Sequence, residues 1–360
     1  METIDTEWES FLENDNIGYN KIDENHENHL DDVFLRNSLK EDNIPKCSEI
    51  YISTKTKISY LNVKEIDIKN IFWKIPITEY YMPQEGVIKK QIKYSTNNKN
   101  DIDEIEDQLK NIKFYDQQII EHIDNPEGRI KFKDQRKISI GICKKDILSY
   151  RSKKKRAFFN CFVLILRLKK KDEFKEMHVK VFNTGKMEIP GIQDDEMLNN
   201  VLNKIVCILK PFISNDLDFI SNKTETVLIN SNFNCGYYID RDKLHDILKY
   251  KYRINSNYDA CSYPGIQSKF YYDNTKIEQD GQQPNHKDYY QVSFMIFRTG
   301  SVLIVGKCDE EILYEIYNFI KKIFKNEYKQ IVTINFDNNN NNNNKKNKKI
   351  VKKIVYFDVK

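Results

Sequence analysis

The most regular feature of the chain is a pair of apolar stripes at helical spacing. Between positions 194 and 212, and again between 309 and 324, apolar residues recur every three or four places. The first stripe consists of Met197, Val201, Ile205, Ile208, Leu209 and Phe212, and the second of Ile312, Ile316, Phe319, Ile320 and Ile323. Two amphipathic helices are therefore predicted. Asp194 and Asp195 favour the start of the first, because carboxylates are stabilised at the positive end of a helix.

Most of the other apolar residues lie in short alternating or β-branched segments, which predict strands. Before the first helix such segments occur within 47–66 and 138–189; after it they occur at 226–239, 263–272, 291–297 and 301–305, with a short helix at 241–249. Residues 67–137 break this pattern with Pro76, Pro83 and an acidic helical piece at 102–109. We expect this stretch to be an insertion.

Two of the strand segments repeat each other. HVKVFNTGKMEIPG at 178–191 and SFMIFRTGSVLIVG at 293–306 share the pattern apolar–Phe–x–Thr–Gly–x–apolar–x–Ile–x–Gly, and one of the two helices follows each. Glycine suits a tight hairpin turn because it adopts positive φ without strain. Two unrelated hairpins that share a turn are the alternative. The matching elements on both sides favour a strand–turn–strand–helix unit that occurs twice, and therefore a pseudo-twofold molecule.

These phrases resemble the TATA-box-binding-protein family, whose repeats carry Ile-Phe-x-Ser-Gly-Lys-x-x-x-Thr-Gly before a long helix. Leu228-Ile229-Asn230 followed by Cys235, the segment YDACSYPGI at 258–266, and residues 157–168 are similar to further family motifs. The sequence as a whole resembles those of the divergent TATA-binding-like proteins of large cytoplasmic DNA viruses. The resemblance implies an α+β fold of two pseudo-symmetric repeats, each an antiparallel sheet with two helices, together forming a saddle.

The resemblance also implies a set of DNA-contacting residues. The wedge aromatics that family members insert between base steps match Phe159 with Phe182, and Tyr263 with Phe297, and Phe158 or Phe162 are alternatives to Phe159. A central asparagine that donates to minor-groove acceptors matches Asn230, with Thr56 as its first-repeat counterpart. Cations facing the DNA backbone match Arg167, Lys186 and Lys269, and an acidic residue that contacts a protein partner matches Asp259.

The chain departs from the family at several hydrogen-bonding positions. The threonine that ends each hairpin phrase is replaced by Pro190 and Val305, and the lysine of the second phrase by Ser301. Bending of DNA is therefore better supported than recognition of a consensus TATA sequence. The basic run at 152–156 is a further candidate for phosphate contact.

Composition narrows the remaining possibilities. The net charge is only +4, but residues 1–50 carry fourteen acidic side chains against four basic ones, and the end of the chain is rich in lysine. Seven cysteines without a CxxC pair favour a reducing compartment over disulfides or a zinc ribbon. The chain has no apolar run of membrane length, no signal peptide and no nucleotide-binding or catalytic motif. His26 and His29 lack a third ligand nearby. We expect no enzyme activity, cofactor, metal or small-molecule substrate.

The predicted organisation has four parts. They are an acidic tail at 1–45 that is disordered or partly helical, a first repeat at 46–216 with its insertion at 67–137, a second repeat at 217–330, and an Asn- and Lys-rich tail at 331–360. The expected function is that of an intracellular transcription initiation factor that bends promoter DNA, AT-rich by expectation, together with a transcription factor IIB-like protein and RNA polymerase. It would work in a nucleus or, if viral, in a cytoplasmic virus factory or the virion. The alternative is a protein scaffold that has lost DNA binding.

Overall fold

The computed structural model describes residues 44–148 and 158–333 of the chain. The predicted acidic tail lies outside these ranges apart from its last two residues, as do the basic run at 152–156 and the tail beyond 333. Within the described ranges, no helix is both long and apolar enough to cross a membrane.

The described residues form twelve strands and seven α-helices. The strands are β1 (Tyr51–Tyr60), β2 (Gly86–Thr96), β3 (Tyr115–Asp124), β4 (Phe132–Gly141), β5 (Cys161–Lys170), β6 (Glu173–Phe182), β7 (Lys186–Ile192), β8 (Glu225–Asn234), β9 (Asn255–Asn257), β10 (Gly265–Asp273), β11 (Tyr289–Phe297) and β12 (Ser301–Gly306). The helices are α1 (Ile68–Lys74), α2 (Lys99–Leu109), α3 (Lys144–Leu148), α4 (Asp195–Ile213), α5 (Arg241–Asp246), α6 (Glu310–Asn326) and α7 (Tyr328–Ile331). A π-helical turn, Ile247–Lys251, continues α5.

All twelve strands belong to one antiparallel sheet, in the order β3-β4-β2-β5-β6-β7-β1-β8-β12-β11-β10-β9. In the second repeat the first strand pairs with the last, and the order then runs backwards through the others: β8-β12-β11-β10-β9. The first repeat has the same order, β1-β7-β6-β5-β2, and β1 and β8 pair with each other where the repeats meet. The predicted fold class, α+β with two pseudo-symmetric repeats, is confirmed.

Each repeat has its own apolar core, on the side of the sheet that carries its helices. The long helix of each repeat buries the stripe that the sequence predicted, although Ile208, Phe212 and Phe319 are only partly buried. Asp194 caps α4 as its carboxylate accepts the Met197 amide at 2.7 Å. Burial of these stripes, more than helix propensity, stabilises helices of this kind.

The Thr-Gly turns are also as predicted. Gly185 and Gly300 have φ of 76° and 79°, in the region where only glycine is free of strain. A Cβ on Gly300 would lie 2.3 Å from the carbonyl oxygen of Tyr237. The close approach explains why this hairpin cannot carry a larger residue.

The strand order suggests other bounds for the insertion than the expected 67–137. Helix α1 and strand β2 fall within 67–137, yet they hold the places in the first repeat that α5 and β9 hold in the second. The added part is α2, β3, β4 and α3, so it runs on to Leu148. Residues 138–141, where the first repeat was expected to resume after the insertion, are the end of β4. Strand β2 was not predicted because two adjacent lysines interrupt its apolar pattern. Lys89 and Lys90 are buried within the protein, where a sequence pattern leads one to expect apolar residues.

Candidate nucleic-acid interface

The two sides of the sheet differ in what covers them. In β5, Phe162, Leu164 and Leu166 are fully buried in the first core, so the alternate residues of this strand point to the other side. In β8, Ile229 and Phe233 join the second core in the same way. We call the side opposite the helices the open face. Across the four central strands it is formed by Thr54, Thr56, Ile58, Lys186, Glu188, Pro190, Leu228, Asn230, Asn232, Ser301, Leu303 and Val305.

An aromatic pair stands on the open face of the second repeat. The ring centroids of Tyr263 and Phe297 are 6.0 Å apart, with an interplanar angle of 59°. Gly265 lies directly beneath them, and a Cβ there would be 3.1 Å from an atom of each ring. Both rings are only partly buried. The two aromatic residues predicted for this repeat are therefore brought together, and the absence of a side chain at Gly265 makes room for them.

The first repeat carries a matching pair, but with a different member. Phe158 packs against Phe182 with centroids 6.2 Å apart and an angle of 54°, nearly the geometry of the second repeat. Phe159 is the register equivalent of Tyr263, since Cys161 pairs with Phe182 as Gly265 pairs with Phe297. Phe159 is nevertheless 40% exposed, and the Lys93 ammonium lies 3.8 Å from its ring centroid.

Of the two alternatives to Phe159, the geometry selects Phe158. Phe162 is fully buried in the first core and has no access to the open face.

Lysines lie beside the aromatic pair of the first repeat. The Lys186 ammonium lies 5.4 Å from the Phe182 ring centroid, and that of Lys180 lies 5.5 Å from Phe158. Lys180 also pairs with Glu188 at 2.7 Å. The equivalent positions in the second repeat are Met295, Ser301 and Leu303, which carry no charge. Two similar ring pairs therefore differ in their electrostatic surroundings, and Lys180 contributes to this difference although no motif in the sequence marks it.

Asn230 lies at the centre of the open face, where the repeats meet. It is 8% exposed, and its side-chain Nδ2 donates to the Thr54 hydroxyl at 3.2 Å. Its Oδ1 has no partner among the described residues. Turning the amide by 180° would preserve the bond, with the hydroxyl as donor to Oδ1, and would free both N–H donors. A buried amide with unused hydrogen-bonding capacity is a costly arrangement unless a ligand completes it.

The strand registers make Thr56 the first-repeat equivalent of Asn230, as the sequence indicated. Tyr60 pairs with Lys186 in the first repeat, as Asn234 pairs with Ser301 in the second, and Thr56 and Asn230 lie four residues before these positions. Thr56 is also buried, at 8% exposure. The centre is therefore polar but chemically asymmetric between the repeats.

The expected phosphate contact of Arg167 is replaced by internal hydrogen bonds. Its guanidinium donates to the backbone carbonyls of Tyr80, Met82 and Gln84. Burial lowers the pKa of this guanidinium, and the side chain is only 6% exposed. The loop that supplies these carbonyls covers the outer strands on this side of the first repeat, and Tyr80 packs there against a small cluster of Ile88, Cys143 and Ile165.

Lys269 and Arg167 are not equivalent positions. Lys269 of β10 pairs with Ser293 of β11, and this register makes Ile165 the first-repeat counterpart of Lys269. Lys269 is partly buried on the open face. The outer part of this face is thus covered in the first repeat and carries a lysine in the second.

Asp259 stabilises its own turn. Its carboxylate accepts the Cys261 amide at 3.0 Å and the Ser262 hydroxyl, and the Ser262 bond is the main reason that its pKa is lowered. The side chain is exposed, so it remains accessible to a partner. Within the described ranges, no three His, Cys, Asp or Glu side chains are grouped as a metal site would require.

The chain resembles a curated viral protein over about half of each length. It is 28% identical over 205 residues to a TATA-box-binding protein-like protein of Acanthamoeba polyphaga mimivirus, a match that covers 51% of this chain and 53% of that protein. The resemblance to the TATA-box-binding-protein family is confirmed. No family model matches the chain. Among solved structures, the TBP of Methanococcus jannaschii is 13% identical, with a TM-score of 0.40, over 78% of this chain and 99% of that one.

Proposed function

We propose that the open face binds double-stranded DNA from the minor groove and bends it. The observation that carries this proposal is the recurrence of one aromatic pair, at 6.0 and 6.2 Å, on the open face of both repeats. Proteins that bend DNA from the minor groove insert apolar side chains between base steps, TATA-box-binding proteins among them. Two such pairs related by the pseudo-twofold axis would unstack two steps of one duplex.

The centre of the open face suits the floor of a minor groove. A·T pairs present only acceptors there, whereas G·C pairs add an amino group. Asn230 has donors to offer to such acceptors once its amide is turned, and the neighbouring Leu228 and Val305 offer no acceptor to a guanine amino group. We therefore expect a preference for A·T pairs, weaker in the first repeat because Thr56 offers a single hydroxyl.

The lysines of the first repeat would supply the electrostatic part of binding. Lys93, Lys180 and Lys186 all lie beside the rings of this repeat, where phosphates flanking an unstacked step would approach. The name of the mimivirus relative supports a role in transcription. We place the chain at promoters in transcription initiation, with a transcription factor IIB-like protein at Asp259 and RNA polymerase as partners.

One observation favours the rival role, a scaffold that does not bind DNA. The Arg167 guanidinium is used within the protein and the outer strands of the first repeat are covered. A scaffold would retain the two-repeat sheet but show no affinity for duplexes.

The test is binding and bending of labelled duplexes, AT-rich and GC-rich, measured by anisotropy and by energy transfer between the duplex ends. We expect the full chain to bend AT-rich DNA, and Phe182→Ala/Phe297→Ala to lose bending while it remains folded. Phe159→Ala is the matched control and should bend like the parent. Failure of the parent to bind any duplex would favour the scaffold, and bending by the double variant would refute the assignment of the wedges.

A further inference from the structure

The added strand β3 forms one end of the sheet. It is ten residues long, whereas the strand at the other end, β9, has only three. Among the described residues, β4 is its one neighbouring strand. A long edge strand offers its backbone to another chain, and proteins commonly shorten, charge or cover such edges. Here large apolar side chains are exposed instead: Phe114 (41%), Tyr115 (47%), Ile119 (56%) and Ile120 (42%).

The pairing with β4 determines which backbone groups of β3 point outward. The Gly141 amide donates to the Phe114 carbonyl at 2.8 Å. Residues of an antiparallel strand bond alternately to the two sides, so the N–H and C=O groups of Tyr115, Gln117 and Ile119 point away from β4. The register with β4 shifts directly after Ile119. The regular outward row therefore consists of these three residues, with Gln117 at its centre.

We propose that this row pairs with the same row of a second copy of the chain, about a twofold axis at Gln117. Antiparallel pairing there places Tyr115 opposite the second copy's Ile119, and Phe114 opposite its Ile120. Each aromatic ring meets a β-branched side chain on its own side of the joined sheet, a favourable cross-strand combination. The two Gln117 residues lie opposite each other on the axis, and each side chain keeps the hydrogen bond that its Oε1 accepts from Arg136 of its own chain at 2.9 Å.

Charge complementarity identifies the second copy as the occupant. In this register Asp116 lies opposite Gln118, so no like charges are opposed. Lys113 comes to the same end of the row as the second copy's Glu121, a carboxylate that also pairs with Lys133 of its own chain at 2.9 Å. Both partners use the same patch in such a contact. The assembly therefore stops at a dimer, and no new strand edge is exposed. Pairing also extends the sheet at the end remote from β1 and β8, which leaves both open faces accessible.

The interface is small, because three outward residues and their neighbours carry it. Interfaces below standard size are typically weak, and we expect a dissociation constant on the order of 10 µM. Sedimentation equilibrium of the full chain between about 1 and 200 µM covers this range. Ile119→Lys and Gln117→Pro should weaken association at least tenfold, since they add charge to the row or remove its central N–H. Ile130→Lys is the matched control, equally apolar and 48% exposed but outside the row, and should change it less than twofold.

Cross-linking tests the register itself. On the axis the two Gln117 Cα atoms would be about 5.5 Å apart, within the range of a disulfide. In a background with the exposed Cys207 and Cys261 replaced by Ser, Gln117→Cys should cross-link on mild oxidation. Gln118→Cys, whose Cα atoms would be about 8 Å apart, should not.

Three results would overturn the proposal. They are a parent chain that stays monomeric at 200 µM, a dimer unaffected by Ile119→Lys, and equal cross-linking at positions 117 and 118. None of them bears on DNA binding, which is measured separately.

Discussion

Lys90 is a buried cation whose charge state should control the stability of the first repeat. It lies in β2 with 4% exposure, and its Nζ donates to the carbonyls of Phe72, Trp73 and Ile75 at 2.7, 3.2 and 2.6 Å. These carbonyls belong to the end of α1, where helices lack internal donors. Burial lowers the pKa of Lys90 to about 8, from an ordinary 10.5.

The sign of the pH dependence follows from this shift. Between pH 8 and 10.5 the unfolded chain binds a proton at Lys90 that the folded chain has lost, so the free energy of unfolding rises with pH. The shift of 2.5 pKa units corresponds to at most about 3.4 kcal/mol at about 1.4 kcal/mol per unit, and about 2 kcal/mol of it is recovered between pH 7 and 9.5. The carbonyl acceptors favour the charged form, which makes these figures upper values.

Lys90→Met removes the titrating group at similar volume and leaves the carbonyls without a donor, at a cost of about 1–3 kcal/mol each. We expect destabilisation by about 3 kcal/mol at pH 7, and a gap to the parent that widens by up to about 2 kcal/mol at pH 9.5. Burial raises the pKa of Cys143 to about 11 and of Cys235 and Cys308 to about 12. Stability is therefore lost above pH 9 in both proteins, so the difference between urea titrations isolates Lys90. Parallel pH profiles would refute the reasoning.

Other variants test the remaining assignments. Arg167→Met should lower the free energy of unfolding by about 2 kcal/mol or more without loss of DNA affinity, because its donors serve the Tyr80–Gln84 loop; an affinity loss at unchanged stability would restore the phosphate contact. Gly265→Ala should reduce bending while thermal stability changes little, since the new methyl displaces the Tyr263 and Phe297 rings, and unchanged bending would contradict that packing. Lys186→Gln should lower the slope of log affinity against log salt by about 1, and an unchanged slope would show that Lys186 meets no phosphate.

The symmetric part of the molecule could be predicted from the sequence because its signals are local and occur twice. The Thr-Gly turns around Gly185 and Gly300 fixed the relation between the repeats. That relation matched Phe182 with Phe297, each of which packs against a second aromatic ring, and Thr56 with Asn230, in agreement with the strand registers. Each of these depends on strand register, which alternation and turn type specify.

The features that could not be predicted depend on contacts between distant segments. Phe158 and Phe159 are neighbours, and only the packing against Phe182 separates their roles. In the sequence Arg167 has the appearance of a surface cation, but in the structure the loop 80–84 encloses it. The β2 lysines have the appearance of loop residues, but other segments of the chain bury them. A sequence pattern records that a residue is charged, but not whether carbonyls from another part of the chain surround it.

In the proposed complex, two aromatic pairs unstack two steps of one duplex. A series of AT-rich duplexes with a single 2-aminopurine moved step by step across the site measures this directly, because its fluorescence rises when it is unstacked. We expect two fluorescence maxima separated by a centre of low fluorescence. Phe158→Ala/Phe182→Ala should abolish one maximum and Tyr263→Ala/Phe297→Ala the other. A flat profile, or two maxima that persist in both variants, would contradict it.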